Sequence, residues 1–295
     1  MATLSSKLQR SLAFPVIKDS AQTLAPSLVV SADTRRWCVL AVASLVIAGL
    51  LSLAVVIGRL PFLAGIINDP LFFKRCLVVH VDLSLVVWFY AFIASLLAMR
   101  FSTDTGNLGR ITFGISITGV FCMLAGAVMR DAQPVLSNYI PMIDHPLFQL
   151  GIGLFFLGIV SFFLVALARD TRGADGPIPR EAMVGLQTAA LAVLLALVTW
   201  ISALAGTPAG LDTKTFYEFT IWGAGHALQV ANACAMLAVW LWALNRATGT
   251  HVVSKRTANV LFGLMIAPHF ILPLLTMRGT LDPLYHNGST QLMRW

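Results

Sequence analysis

Seven apolar runs decide most of what this 295-residue chain can become. They lie at residues 37–58, 76–98, 111–129, 146–168, 182–204, 216–244 and 258–277, with short polar connections between them. Each is close to the roughly 20 residues that carry a helix across a bilayer. In hydrocarbon every backbone N–H and C=O must be satisfied internally, which leaves helices or closed barrels. None of the runs shows the period-two alternation of a strand. The reading is therefore an all-α, polytopic membrane helical bundle of seven spans. Composition agrees, with 58% hydrophobic and 11% charged residues, where soluble domains carry about a quarter charged. A soluble enzyme is excluded. The formal charge of +7 is scattered between the runs, so no nucleic-acid partner is expected.

The domain plan follows from the runs. Residues 1–36 form a basic N-terminal arm without a secretory signal pattern, residues 37–278 the seven-span membrane domain, and residues 279–295 a further segment. In that segment Ser289 precedes a rising apolar pattern and reads as a helix cap, the start of an eighth span. The chain thus reads as the first part of a longer bundle, continued beyond it or in another polypeptide. With the N-terminus cytoplasmic, thirteen Lys and Arg fall on the inner side and six on the outer, Arg294 apart. That bias favours the N-inside arrangement and makes residues 170–181 an inner loop. The cysteines Cys38, Cys76, Cys122 and Cys234 show no CxxC spacing, so neither a disulfide framework nor a zinc site is expected.

Ionisable groups at membrane depth are costly and point to function. His80, His226 and His269 all lie inside runs. At 1.5 Å per residue their depths from the outer edge are roughly 6, 15 and 12 Å, all in the outer half of the membrane. His226 stands in the sequence WGAGHALQ, with Trp222 one turn before it, Gln229 one turn after it, and Gly223 and Gly225 removing bulk beside it. A neutral imidazole with cleared space beside it suits a metal or heme iron. Pro268 and Pro273 bend the last run around His269 and free backbone carbonyls. The bland alternative for each histidine is an interhelical hydrogen bond. Of the others, His145 reads as interfacial, and His251 and His286 as solvent-facing. Asp82 is expected to find a hydrogen bond away from His80 or to reach the interface. Glu218 reads as the i,i+4 partner of Lys214.

FFKRCLVVHVDLSLVVWFYAF (residues 72–92) and WGAGHALQ resemble the second and sixth helices of the catalytic subunit of heme-copper oxidases and nitric oxide reductases. The resemblance covers the first seven helices. It implies His80 as a ligand of heme b (one or two hemes), and His226 as a ligand of copper or non-heme iron, with His269 from the seventh helix as a further metal ligand. By the same resemblance Trp222, Gly223 and Gly225 border the cofactor, and Gln229 joins His226 and His269 at the reacting centre. The family's tenth helix, which carries further heme ligands, has no counterpart here, and Val230 stands where oxidases place a tyrosine. The implied function is a respiratory oxidoreductase subunit in a bacterial inner membrane. It would work beside other membrane subunits, one of them supplying the later helices, with cytochrome c or quinol as electron donor. A non-catalytic heme b electron-transfer or anchor subunit, and a cofactor-free transporter or structural subunit, are the competing readings.

Overall fold

The structure, a computed structural model, describes residues 30–60, 69–100, 105–169 and 177–294. The N-terminal arm up to residue 29, residues 170–176 of the connection before the fifth span, and Trp295 lie outside the described residues. Seven helices are long and apolar enough to cross a membrane: α1 (Ala32–Ile57), α2 (Phe72–Ala98), α3 (Asn107–Ala127), α4 (Pro146–Ala168), α5 (Arg180–Gly206), α6 (Thr213–Thr248) and α7 (Lys255–Thr276). The protein is an all-α polytopic membrane bundle. A two-stranded antiparallel hairpin, β1 (Gln133–Val135) and β2 (Met142–Asp144), joins α3 to α4. A last helix, α8 (Pro283–Arg294), follows α7. It begins ahead of Ser289, which lies inside it and bonds back to the Tyr285 carbonyl instead of capping a start there.

The helix ends are set by local chemistry. Ser31, Asp212 and Ser254 cap α1, α6 and α7 by accepting from the N–H three residues on, which satisfies donors left over at a helix start. His145 caps α4 in the same manner through Leu147 N–H, with Pro146 in the first turn.

Without a hydrophobic drive between helices in lipid, close backbone approach and polar contacts hold spans together. The α3–α4 pair shows this most clearly. Gly119 and Gly126 on α3 face Phe155 and Phe148 of α4, while Gly151 and Gly158 on α4 face Met123 and Ser116 of α3. A Cβ on any of the four would come within 3.0 Å of the other helix. Ser116 adds a hydrogen bond to the Phe155 carbonyl at 3.1 Å. At one end of the bundle Asp33 of α1 accepts from Thr105 N–H (2.6 Å), the Thr105 hydroxyl (2.5 Å) and Arg36 (2.9 Å). At the hairpin end the buried Arg75 of α2 donates to the carbonyls of Ala127 and Ala132 and pairs with Asp69. That pairing holds the Asp69 carboxyl below its ordinary value and fastens α2 to the entry of the hairpin.

Two spans are irregular. Within α2, Asp82–Val87 form a π-helical segment, a widened turn that recurs at functional sites. Within α7, Ala267–Ile271 tighten into a 3-10 segment. Pro268 and Pro273 lack the N–H groups that would continue the ladder, and Leu272 N–H takes the His269 carbonyl instead.

Candidate functional site

The three span histidines share one local habit. In each, Nδ1 meets a backbone carbonyl: His80 with Ala48 of α1 at 2.8 Å, His226 with Trp222 at 2.7 Å, and His269 with Met265 at 3.1 Å. A carbonyl only accepts, so Nδ1 carries the hydrogen and Nε2 keeps its lone pair. This is the tautomer that metal-ligating histidines adopt when a second group orients them. His286 does the reverse, donating from Nε2 to the Thr280 carbonyl at 3.1 Å.

Where the Nε2 atoms point differs. That of His226 accepts from the Tyr139 hydroxyl at 3.1 Å. That of His269 is buried with no partner, although a buried polar atom without a hydrogen bond is uncommon and asks for an explanation. His269 and His286 both lie within electrostatic reach of His226. His80 instead turns toward α1 through its bond to Ala48. The structure therefore brings His226 and His269 into one neighbourhood and leaves His80 outside it. Among the described residues no group of three or more His, Cys, Asp or Glu side chains converges as a metal site.

Tyr139 was not anticipated from sequence. It sits in the loop between β1 and β2 with φ of 66°, the only non-glycine positive φ among the described residues. That left-handed conformation is strained for a bulky residue and clusters at functional sites. Its ring packs on Gly225, where a Cβ would come within 2.2 Å of it, and meets Trp222 edge-on at 5.7 Å. Burial pushes its phenol above the ordinary value, which keeps it a hydrogen-bond donor to His226. Gly223 is matched by another tyrosine. The fully buried Tyr285 of α8 accepts from Gly223 N–H at 2.8 Å and donates to the Phe219 carbonyl at 2.9 Å. Those two groups are the i and i−4 ends of one helical hydrogen bond, so the hydroxyl stands inserted in the α6 ladder. Burial carries its pKa to about 12. The room that Gly223 and Gly225 clear is thus filled by two tyrosine rings, where the sequence suggested open space beside a metal or heme iron.

Beside this cluster a cavity of about 600 Å³ separates α2 from α6 and reaches the β1–β2 loop. Val81 and Tyr90 wall it from α2, and Gln229 and Asn232 from α6, with Tyr139 and Trp222 at its end. Asn232 Oδ1 is buried without a partner. His226 is not itself a wall; Tyr139 stands between. Trp222 also holds α8, donating to the His286 carbonyl at 3.4 Å and lying 5.2 Å from its ring. His286 is thereby partly enclosed, not solvent-facing as its position suggested.

The remaining residues fall out simply. Asp82 neither bonds elsewhere nor reaches an interface: both its oxygens are buried without partners. Lys214 and Glu218 form their ion pair at 3.8 Å. His251 pairs with the buried Glu181 at 2.7 Å, and Glu181 also accepts from Asn245 at 2.5 Å, joining α5, α6 and the α6–α7 connection.

An iron or copper ligated by imidazole fits the donor set in two respects and departs from it in two. The three tethered rings present Nε2, and the His269 atom is an orphan. Against this, His226 is already capped and a third protein donor is lacking among the described residues.

No protein-family model matches the chain, and no solved structure matches it. An uncharacterized protein of Aquifex aeolicus is similar to it, 31% identical over 210 residues that cover 71% of this chain and 53% of that protein. An uncharacterized protein of Rickettsia prowazekii is 26% identical over 145 residues, covering 41% of this chain and 28% of that protein. The chain spans about half the length of the first of these relatives and less of the second.

Proposed function

We propose that the protein is a heme-binding membrane oxidoreductase subunit of the heme-copper oxidase or nitric oxide reductase kind, in a bacterial inner membrane with the N-terminus cytoplasmic. The observation that supports this reading is the shared tautomer of His80, His226 and His269, each held by its Nδ1 so that Nε2 carries a lone pair, without a partner at His269 and taken by the Tyr139 hydroxyl at His226. In this reading His80 would hold heme b, and His226 with His269 would hold copper or non-heme iron. A bound heme supplies the one-electron couple. The chain's own groups orient the rings: Ala48, Trp222 and Met265 carbonyls fix their planes, and Tyr139 holds a proton at His226 Nε2. A metal at His226 requires Tyr139 to give way and further donors from outside the described residues. Other membrane subunits, and cytochrome c or quinol as donor, complete the proposal.

A second reading is supported by the capped His226: a heme b electron-transfer or anchor subunit without a reacting centre. Reduced-minus-oxidised visible spectra of the purified complex, with metal analysis and turnover of oxygen and nitric oxide, separate the two. The first reading predicts a heme band abolished by His80→Ala together with gas turnover lost in His226→Ala. A heme band without turnover selects the second reading. A band that survives His80→Ala removes His80 from both.

A further inference from the structure

A second cavity, of about 310 Å³, lies between α4, α5 and α6 at the hairpin end. It is separate from the histidines. Phe156, Val193 and Ile221 wall it and Ile140 of the β1–β2 loop closes its end. Of its polar side chains, the Thr220 hydroxyl bonds to the Phe216 carbonyl at 2.8 Å, the Tyr217 hydroxyl meets Gln149 at 2.7 Å, and the Trp200 indole stands on the exposed side. The interior therefore offers nothing to water, and such cavities stay dry or take apolar guests. Leu157 (53% exposed), Trp200 (38%) and Leu204 (38%) stand at its side on surfaces that face the bilayer, so a guest enters from the membrane.

Gly153 sets how open the cavity is. Gly151 and Gly158 on the same helix are needed because α3 touches them, but a Cβ at Gly153 meets nothing within 4 Å. Glycine inside a helix is unfavourable relative to alanine, and no protein neighbour requires it here. It borders the cavity and keeps it open. At the hairpin end, two residues beyond Met142 of the wall, stands an acceptor: Asp144 Oδ1 receives Gln149 at 3.0 Å and Tyr217 at 3.4 Å. Asp131 lies beyond, 3.8 Å from His145 Nε2.

We propose that this cavity binds one acyl chain of an amino-headgroup phospholipid, with the chain beside Gly153 and the ammonium on the Asp144 carboxylate. The test uses the full chain in detergent micelles, titrated with phosphatidylethanolamine or phosphatidylglycerol of identical acyl chains, bound lipid being counted by native mass spectrometry. The wild type retains the ethanolamine lipid at least threefold over the glycerol lipid. Gly153→Leu, whose side chain enters the open space, loses retention of both with unchanged or higher thermal stability, and Ala196→Leu, filling the cavity from α5, repeats the loss. Asp144→Asn keeps one bound lipid but loses the preference. Equal retention in Gly153→Leu and the wild type, no headgroup preference in the wild type, or a neutral isoprenoid as the co-purifying guest each overturns the proposal.

Discussion

Glycine is used in opposite ways by two parts of this bundle. Between α3 and α4 it lets backbone meet backbone, Gly151 against Gly119 and Gly158 against Ser116. Around His226 it admits tyrosine rings, Tyr139 over Gly225 and Tyr285 against Gly223. The first contact is purely structural, a small-residue interface of the kind that lipid-embedded helices favour. The second places two phenols on one helix, one bonded to an imidazole and one wedged in the backbone ladder. Similar sequence signals therefore mark a clamp in one region and a furnished site in the other.

Substitutions can break this contrast. Gly151→Val puts methyl groups beside Met123 N and Gly119 O, which a Cβ alone would approach to 2.6 and 2.7 Å. Overpacking of that kind costs about 3 kcal/mol, and folded yield and thermal stability in detergent drop sharply. Arg75→Met strips the Ala127 and Ala132 carbonyls of their donor. A loss of about 2 kcal/mol is expected, with the hairpin segment becoming protease-sensitive before the bundle unfolds. Tyr139→Phe removes one hydrogen bond, worth about 1 kcal/mol. It shifts the His226 ring nitrogen resonances in ¹⁵N-histidine spectra while leaving α3–α4 unaffected.

The smallest effect is with pH. Burial holds the His286 imidazole below its ordinary value, near 6.5 in free peptides. The neutral ring is favoured in the folded state, so its stabilising contribution is complete above about pH 6.5 and is lost as pH falls toward the folded value. Docking of α8 weakens over that range. Fluorescence of Trp222, beside the ring, reports it as an acid-side change missing in His286→Asn.

The spans were legible because apolar length and turn chemistry are local properties. Each run falls inside its helix, within a few residues of the ends, apart from Gly58, Val128, Met129 and Met277. The Lys214–Glu218 pair, one helical turn apart, was equally plain. The partners of the site were not local. Tyr139 reaches His226 across 87 residues and Tyr285 reaches Gly223 across 62, so no pattern around WGAGH could announce either. What signal existed was an aromatic residue in the polar Ser137–Asn138 turn between two spans. Asp82 was misjudged because helical spacing from His80 says nothing about a π-widened turn. Ser289 looked like a cap because its hydroxyl chemistry is the same whether it opens a helix or bonds back within one.

Heme and metal content per polypeptide, measured on the protein purified from its membrane with whatever subunits accompany it, tests the central claim most directly. The account predicts at least one b-type heme per chain in the pyridine hemochrome assay, lost with His80→Ala. A preparation that is folded and free of heme, iron and copper contradicts it, and leaves the tethered histidines as helix-packing groups alone.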